Sequence, residues 1–167
     1  MDEGAPLHAQ SDRARRRVAA EALIADWSEK TGVRSVRLRV PGIYGPGRLP
    51  LERIKAGRAV VAESESGYSN RIHADDLANI CFVAAHHPSP GAVYNVSDGH
   101  PTTMTDYFNR VADTAGLPRP PEVSMDEARR TFDAGTLSFL EESKRLDTGR
   151  LLRELPITLR YPTLAEG

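Results

Sequence analysis

Apolar residues recur at three- and four-residue steps over residues 12–30, where Ala20, Leu23, Ile24 and Trp27 fall on one face. That spacing predicts a helix with an inward stripe, and Gly32 is placed to stop it. From Val33 to Val40 the period shortens to two. Val36, Leu38 and Val40 alternate with Arg37 and Arg39, as a strand requires. Pro41 then removes a backbone donor and ends the ladder. Gly42 to Pro50 holds three glycines and two prolines and reads as loop.

Leu51, Ile54 and Lys55 predict a short helix ended by Gly57, and Ala59 to Ala62 a short strand. Gly67 to Asn70 is turn material, and Ile72 and Ala74 continue an extended stretch. Asp75 is placed to cap a helix over 76–86, because its carboxylate can accept from first-turn amides. Leu77, Ile80, Cys81 and Ala84 form its expected inner stripe, and Pro88 and Pro90 its end. Ala92 to Val96 reads as a second core strand. A strand, a connection containing a helix and a second strand make a βαβ unit with parallel strands.

The remainder reads as helical. Thr103 or Thr105 caps a helix through Ala115, with Tyr107, Phe108, Val111 and Ala112 inward and Gly116 as its stop. Ser124 and Glu127 have capping-box spacing. Thr136 to Lys144 predicts a further helix, and Asp147 or Thr148 caps a last one over 151–155. The tail from Leu159 shows no regular pattern. The fold class expected is α/β. Residues 1–100 are expected to form a portion of a Rossmann-like parallel sheet, and 101–167 a mostly helical part.

Composition narrows the function classes. The chain has 167 residues, 40% hydrophobic and 27% charged, with a formal net charge of −1. Those proportions suit one globular domain, and the charge balance gives no field that would draw nucleic acid or acidic lipid. No apolar run approaches the roughly 20 residues that span a bilayer, and no signal-peptide core opens the chain, so the cytoplasm is the expected compartment. A single cysteine, Cys81, forbids an internal disulfide, and its apolar neighbours predict a buried, inert thiol. The five histidines are scattered, so no metal site is expected.

Two segments carry the candidate chemistry. Arg39-Val40-Pro41-Gly42-Ile43-Tyr44-Gly45-Pro46-Gly47 runs a strand into a Gly/Pro loop, and Asn70-Arg71-Ile72-His73-Ala74-Asp75-Asp76 runs an extended segment into a helix. A glycine-rich loop at the carboxyl edge of a sheet lets ligand approach the backbone, at the edge where open α/β sheets bind ligands. Tyr44 is read either as a cleft residue or as a wedge between strand and helix. His73 is read either as a ligand contact or as a structural histidine bonding the helix start.

Together the two segments resemble the C-terminal, substrate-binding half of extended and atypical short-chain dehydrogenase/reductases, the NAD(P)-dependent epimerase/dehydratase family. The closing Arg160-Tyr161-Pro162-Thr163 and Glu166-Gly167 also resemble the end of atypical members. The resemblance implies that Pro41, Gly42 and Ile43 lie near the nicotinamide of NAD(P). It places Tyr44, Arg71 and His73 against a small-molecule substrate such as a nucleotide-sugar. The family segment Arg-Asp-Phe-Ile-His sets its arginine on Ser69 here, and Arg71, two residues later, stands on the same strand face.

The chain departs from the family in two ways. Val18-Ala19-Ala20-Glu21 resembles the signature that follows the family's Tyr-x-x-x-Lys pair, and counting back puts Arg13 and Arg17 at the two positions. Arginine stays protonated and is a poor acid or base, so no catalytic residue is assigned. No Gly-x-Gly-x-x-Gly run occurs, so weak NAD(P) binding is expected of this chain alone. The expected partners are a substrate, and an N-terminal Rossmann half or a second copy. The alternative is a non-enzymatic interaction module. A hydrolase has little support, since no Gly-x-Ser-x-Gly is present.

Overall fold

The computed structural model describes residues 1–9, 11–86 and 91–167. Helix α1 spans Asp12–Thr31; the Ser11 hydroxyl caps its start by accepting from the Ala14 amide, and Gly32, in the left-handed region at φ +71°, ends it. The helix is where the sequence puts it, but its apolar stripe is not inward. No α1 residue is buried, and Leu23, Ile24 and Trp27 are 68%, 45% and 49% exposed. Polar contacts hold α1 instead. Glu21 accepts two bonds from Arg39, at 3.0 and 2.7 Å, and Arg13 sits 3.4 Å above the Phe139 ring. The face carrying Glu21 is therefore the one turned toward the sheet.

Strand β1 is Arg37–Arg39, shorter than the alternation suggests. Strand β2, Gly42–Tyr44, lies in the stretch expected to be loop. Pro41 does end one ladder, but the chain then takes a new partner. Helix α2 (Leu51–Lys55) stops at Ala56 and Gly57, and strand β3 (Val60–Val61) follows. Strand β4 (Tyr68–Ser69) falls in the expected turn, because Thr102 and Thr103 offer it an antiparallel edge. Strand β5 is Arg71–His73.

Helix α3 spans Ala74–His86. Asp75 is not its cap: it lies within the first turn, and its amide donates to His73 Nδ1 at 3.2 Å. Asp76, Ile80 and Ala84 form the buried stripe, whereas Cys81 is exposed. Position 81 lies about 100° around the helix from Ile80, which carries the thiol out of the stripe. The helix end assigned to Pro88 and Pro90 lies outside the described residues.

Strand β6 is Val93–Asn95 and strand β7 Thr102–Thr103. Helix α4 (Met104–Thr114) matches expectation: Thr103 caps it, and Tyr107, Phe108, Val111 and Ala112 are buried. Strand β8 is Glu122–Val123, and helix α5 (Met125–Thr131) starts at Ser124, whose hydroxyl accepts from the Glu127 amide. Helix α6 is Ala134–Leu140, capped by Asp133, and stops short of the expected Lys144. Beyond it the Lys144 amide donates to the Tyr68 carbonyl, so this segment serves β4 rather than extending a helix. Helix α7 is Gly149–Glu154.

Three pairings are parallel: β1 with β6, β2 with β5, and β3 with β8. Two hydrophobic clusters flank them. Ile72, Ile80, Ala84, Tyr94, Val96, Leu151 and Leu155 build the first, with Leu38, Val40 and Ile43 packed against it. Tyr44, Ile54, Val60, Tyr107, Phe108, Val111 and Ala112 build the second. Among the described residues no helix is long and apolar enough to cross a membrane.

Candidate functional site

The two sequence segments meet strand to strand. Gly42 pairs with Arg71, Ile43 with Ile72, and Tyr44 with His73 in parallel register. Successive side chains of a strand point to opposite faces. Ile43 and Ile72 therefore enter the first cluster, while the Gly42–Arg71 and Tyr44–His73 pairs share the other face. Tyr44 and His73 stand at the carboxyl ends of β2 and β5, where the chain leaves for the Gly45–Gly47 loop and for α3.

His73 is 2% exposed. Its Nδ1 takes the Asp75 amide, which is the structural role read from the sequence, and its ring lies among aromatics. The Tyr44 ring meets it edge-on at 5.2 Å, and Tyr161 stacks on it at 3.8 Å between centroids. Gly45 is obligatory here: its φ is +135°, and a Cβ would stand 2.9 Å from His73 Nε2. Tyr44 is 1% exposed and donates to the Thr163 carbonyl at 3.2 Å. Burial, with Asp98, Asp76 and Glu166 nearby, pushes its phenol well above the usual tyrosine range.

Chain end and site are tied by Asp76. Its carboxylate accepts from the Arg160 and Tyr161 amides at 2.8 and 2.9 Å. That latch lays Tyr161 on His73 and Thr163 on Tyr44. The sequence reading gave Asp76 no such role, and its partners 84 and 85 residues away leave no local signal.

Arg71 is buried at 6% exposure. It donates to Thr102 Oγ1 at 3.0 Å and Met104 Sδ at 3.4 Å, and it lies 3.9 Å over the Tyr107 ring. No carboxylate oxygen lies within 4.0 Å of it among the described residues. Burial draws it down to about 10, below the ordinary arginine value. Sulfur is a weak acceptor, so this guanidinium keeps capacity for an anion. Ser69 reaches the same residue, donating to the Thr102 carbonyl at 3.3 Å, so positions 69 and 71 do converge.

Asp98 is a further site residue that the sequence reading passed over. It follows β6, its amide donates to the Arg71 carbonyl at 2.8 Å, and burial raises its carboxyl above the usual range. The Ser97-Asp98-Gly99 turn directly after a core strand was the available signal. Of the remaining candidates, Pro41 is half-buried, Gly42 is exposed on the strand edge, and Ile43 faces the core. Arg13 is held by Phe139 and by Glu142 at 3.4 Å, a bracing role.

No family model and no curated protein matches the chain. Solved structures do. A functionally unknown conserved protein from Silicibacter pomeroyi is 35% identical with a TM-score of 0.86; the match covers 98% of this chain and 56% of that one. A putative NAD-dependent epimerase/dehydratase from Methylobacillus flagellatus is 28% identical with a TM-score of 0.68, covering 100% and 55%. DesIV, a dTDP-glucose 4,6-dehydratase from Streptomyces venezuelae solved with NAD bound, shares the fold at 19% identity and a TM-score of 0.77, covering 100% and 51%. The chain thus spans just over half the length of these structures. In fold the chain is similar to about half of a putative NAD-dependent epimerase/dehydratase and of a dTDP-glucose 4,6-dehydratase, a likeness consistent with the C-terminal half of such proteins.

Proposed function

We propose that this chain supplies the substrate-binding half of an NAD(P)-dependent epimerase/dehydratase-type enzyme, and that the substrate is a small molecule of the nucleotide-sugar class. The observation that carries this reading is the register of β2 on β5, which sets Gly42 beside Arg71 and Tyr44 beside His73 at the carboxyl end of a parallel pair. Arg71, buried without a carboxylate partner, is the group that would take the substrate's phosphate or carboxylate. Tyr44 and His73 would shape the adjoining wall, and Asp98 would set the local charge.

The cofactor fits only in part. Gly42, exposed and without a side chain, leaves the strand edge open to a flat ring, and Pro41 and Ile43 hold that edge in place. NAD(P) supplies hydride chemistry when bound, but the sequence offers no glycine cradle for its pyrophosphate. Arg13, at the position of the family's proton-passing phenol, is committed to Phe139 and Glu142. Independent catalysis by these residues is therefore not part of the proposal.

The experiment is calorimetric titration with dTDP-glucose and, separately, with NADH. Saturation at a hundredfold excess over Kd stabilises a protein by about 2.7 kcal/mol. The sugar nucleotide is expected to bind and to shift Tyr161 and His73 resonances, while NADH alone leaves the unfolding temperature unchanged. Absence of sugar-nucleotide binding removes the substrate assignment; tight NADH binding removes the half-enzyme reading. A second reading, an interaction module, is favoured by the uncovered Leu23, Ile24 and Trp27 of α1.

A further inference from the structure

The segment from Arg160 to Gly167 contains no helix or strand, yet it is fixed along its length. Asp76 holds the Arg160 and Tyr161 amides, and Tyr161 stacks on His73. The Thr163 carbonyl accepts twice, from the Tyr44 hydroxyl at 3.2 Å and from the Glu166 amide at 3.1 Å. The Thr163 hydroxyl in turn donates to the Glu166 carboxylate at 2.8 Å. Leu164 packs against the second hydrophobic cluster, to which Tyr44 belongs.

This turn brings the chain back onto the site at Gly167. A Cβ there would stand 2.8 Å from Tyr44 Cε2, 2.9 Å from His73 Cδ2 and 3.0 Å from the Tyr44 hydroxyl oxygen. Gly167 therefore fills the corner between the two rings with backbone alone. Neither ring is free to give way. Both are buried, and Gly45 already abuts the same imidazole.

A binding wall is only as well placed as the packing behind it, and a displacement of about 0.5 Å is enough to matter. Tyr44 and His73 share a sheet face with Arg71, so whatever seats the two rings sets the wall beside that guanidinium. A side chain at position 167 must push the rings or lift the strap. Lifting it would draw Thr163, in the same turn, away from the phenol.

We propose that Gly167 is a positioning residue of the sugar-nucleotide site: through the 160–167 strap it seats the Tyr44 and His73 rings beside Arg71, and it touches no ligand itself. This rests on the sugar-nucleotide reading and adds to it the segment that sets the shape of the site.

The test is calorimetric titration of dTDP-glucose into the unaltered chain and into Gly167→Ala. The Tyr44 phenol of each, without ligand, is followed by ultraviolet pH titration and assigned by its loss in Tyr44→Phe. The unaltered chain should bind, and Gly167→Ala should bind at least fivefold more weakly. The phenol, held well above the usual range chiefly by burial, should titrate nearer the ordinary tyrosine value in the variant. If Gly167→Ala fails to fold, Asp76→Asn, which loosens the same strap from its other end, carries both readouts. No binding by the unaltered chain removes the substrate reading, and the positioning role falls with it. Binding of equal strength in chain and variant leaves that reading intact and overturns the role of Gly167. Tighter binding by the variant also overturns it, since the strap would then be a lid over the ligand's place. Weaker binding with an unmoved phenol overturns it as well, because Gly167 would then meet the ligand directly.

Discussion

Tyr44 and His73 are register partners on adjacent parallel strands, and their rings meet edge-on at 5.2 Å. That one pairing joins the Gly/Pro-rich segment to the Ile-His segment, and everything at the site is arranged around it. Tyr161 covers the imidazole, Thr163 accepts from the phenol, and Asp76 anchors both through two backbone amides. The tail is therefore part of the site wall.

Gly45→Ala should be costly. The backbone at φ +135° is strained for any side chain, and the new Cβ would stand 2.9 Å from His73 Nε2, on a ring too buried to step aside. The expected loss is about 1–3 kcal/mol, read by urea unfolding. His73→Ala in the same chain removes the clash but not the strain, so the double variant should lose less than the sum of the singles. Additive losses would show that the imidazole is not what the glycine avoids.

Asp76→Ala should release the tail. Two amides lose a charged acceptor, worth about 1.5–3 kcal/mol. Hydrogen exchange over residues 160–167 should quicken. The Tyr44 phenol, raised chiefly by burial, should then titrate nearer the ordinary tyrosine value in the ultraviolet. An unchanged phenol titration would mean that the tail is not what buries it.

Local signals account for what could be read from the sequence. Helix α4 was legible in its span and its inward face because its apolar period and its Gly116 stop lie within a few residues, while its cap stayed open between Thr103 and Thr105 until the Asp106 amide was seen to donate to Thr103. Helix α1 was legible as a helix but not in its facing. Periodicity gives the stripe; only the Arg39–Glu21 fork says which side meets the sheet. Strand β2 escaped because glycine and proline carry no strand signal, and its ladder is supplied by β5. Cys81 was misplaced because an apolar run does not say which of its members share the buried stripe. The site's two halves were visible, each at a strand end, whereas the Asp76 latch depends on contacts that sequence spacing does not encode.

Leu23, Ile24 and Trp27 leave a contiguous apolar stretch on α1 in water, and such patches favour association. Sedimentation velocity should show mass rising with concentration, with Trp27 fluorescence shifting to the blue. Leu23→Glu should keep the chain monomeric without loss of helix. A monomer at all concentrations would leave that face without a role in self-association.

The last prediction concerns how α1 is held. Glu21 and Arg39 form a fork in which both side chains are under a quarter exposed, 22% and 23%. The bond from Arg39 is the main reason the Glu21 carboxyl sits below its usual 4.5. A carboxyl with a depressed folded-state pKa contributes stability that is fully present above its unfolded value and lost as pH falls through the folded one. The contribution is therefore complete at pH 7, begins to fade below about 4.5 and vanishes in stronger acid. Glu21→Gln should cost about 1 kcal/mol at neutral pH, since the fork is partly solvated. The gap to the unaltered chain should close as pH is lowered below that value. Urea unfolding at neutral and acid pH measures the gap, and amide exchange in α1 shows where it arises. A gap that stays constant with pH would mean that the carboxylate's charge is not what ties α1 to β1.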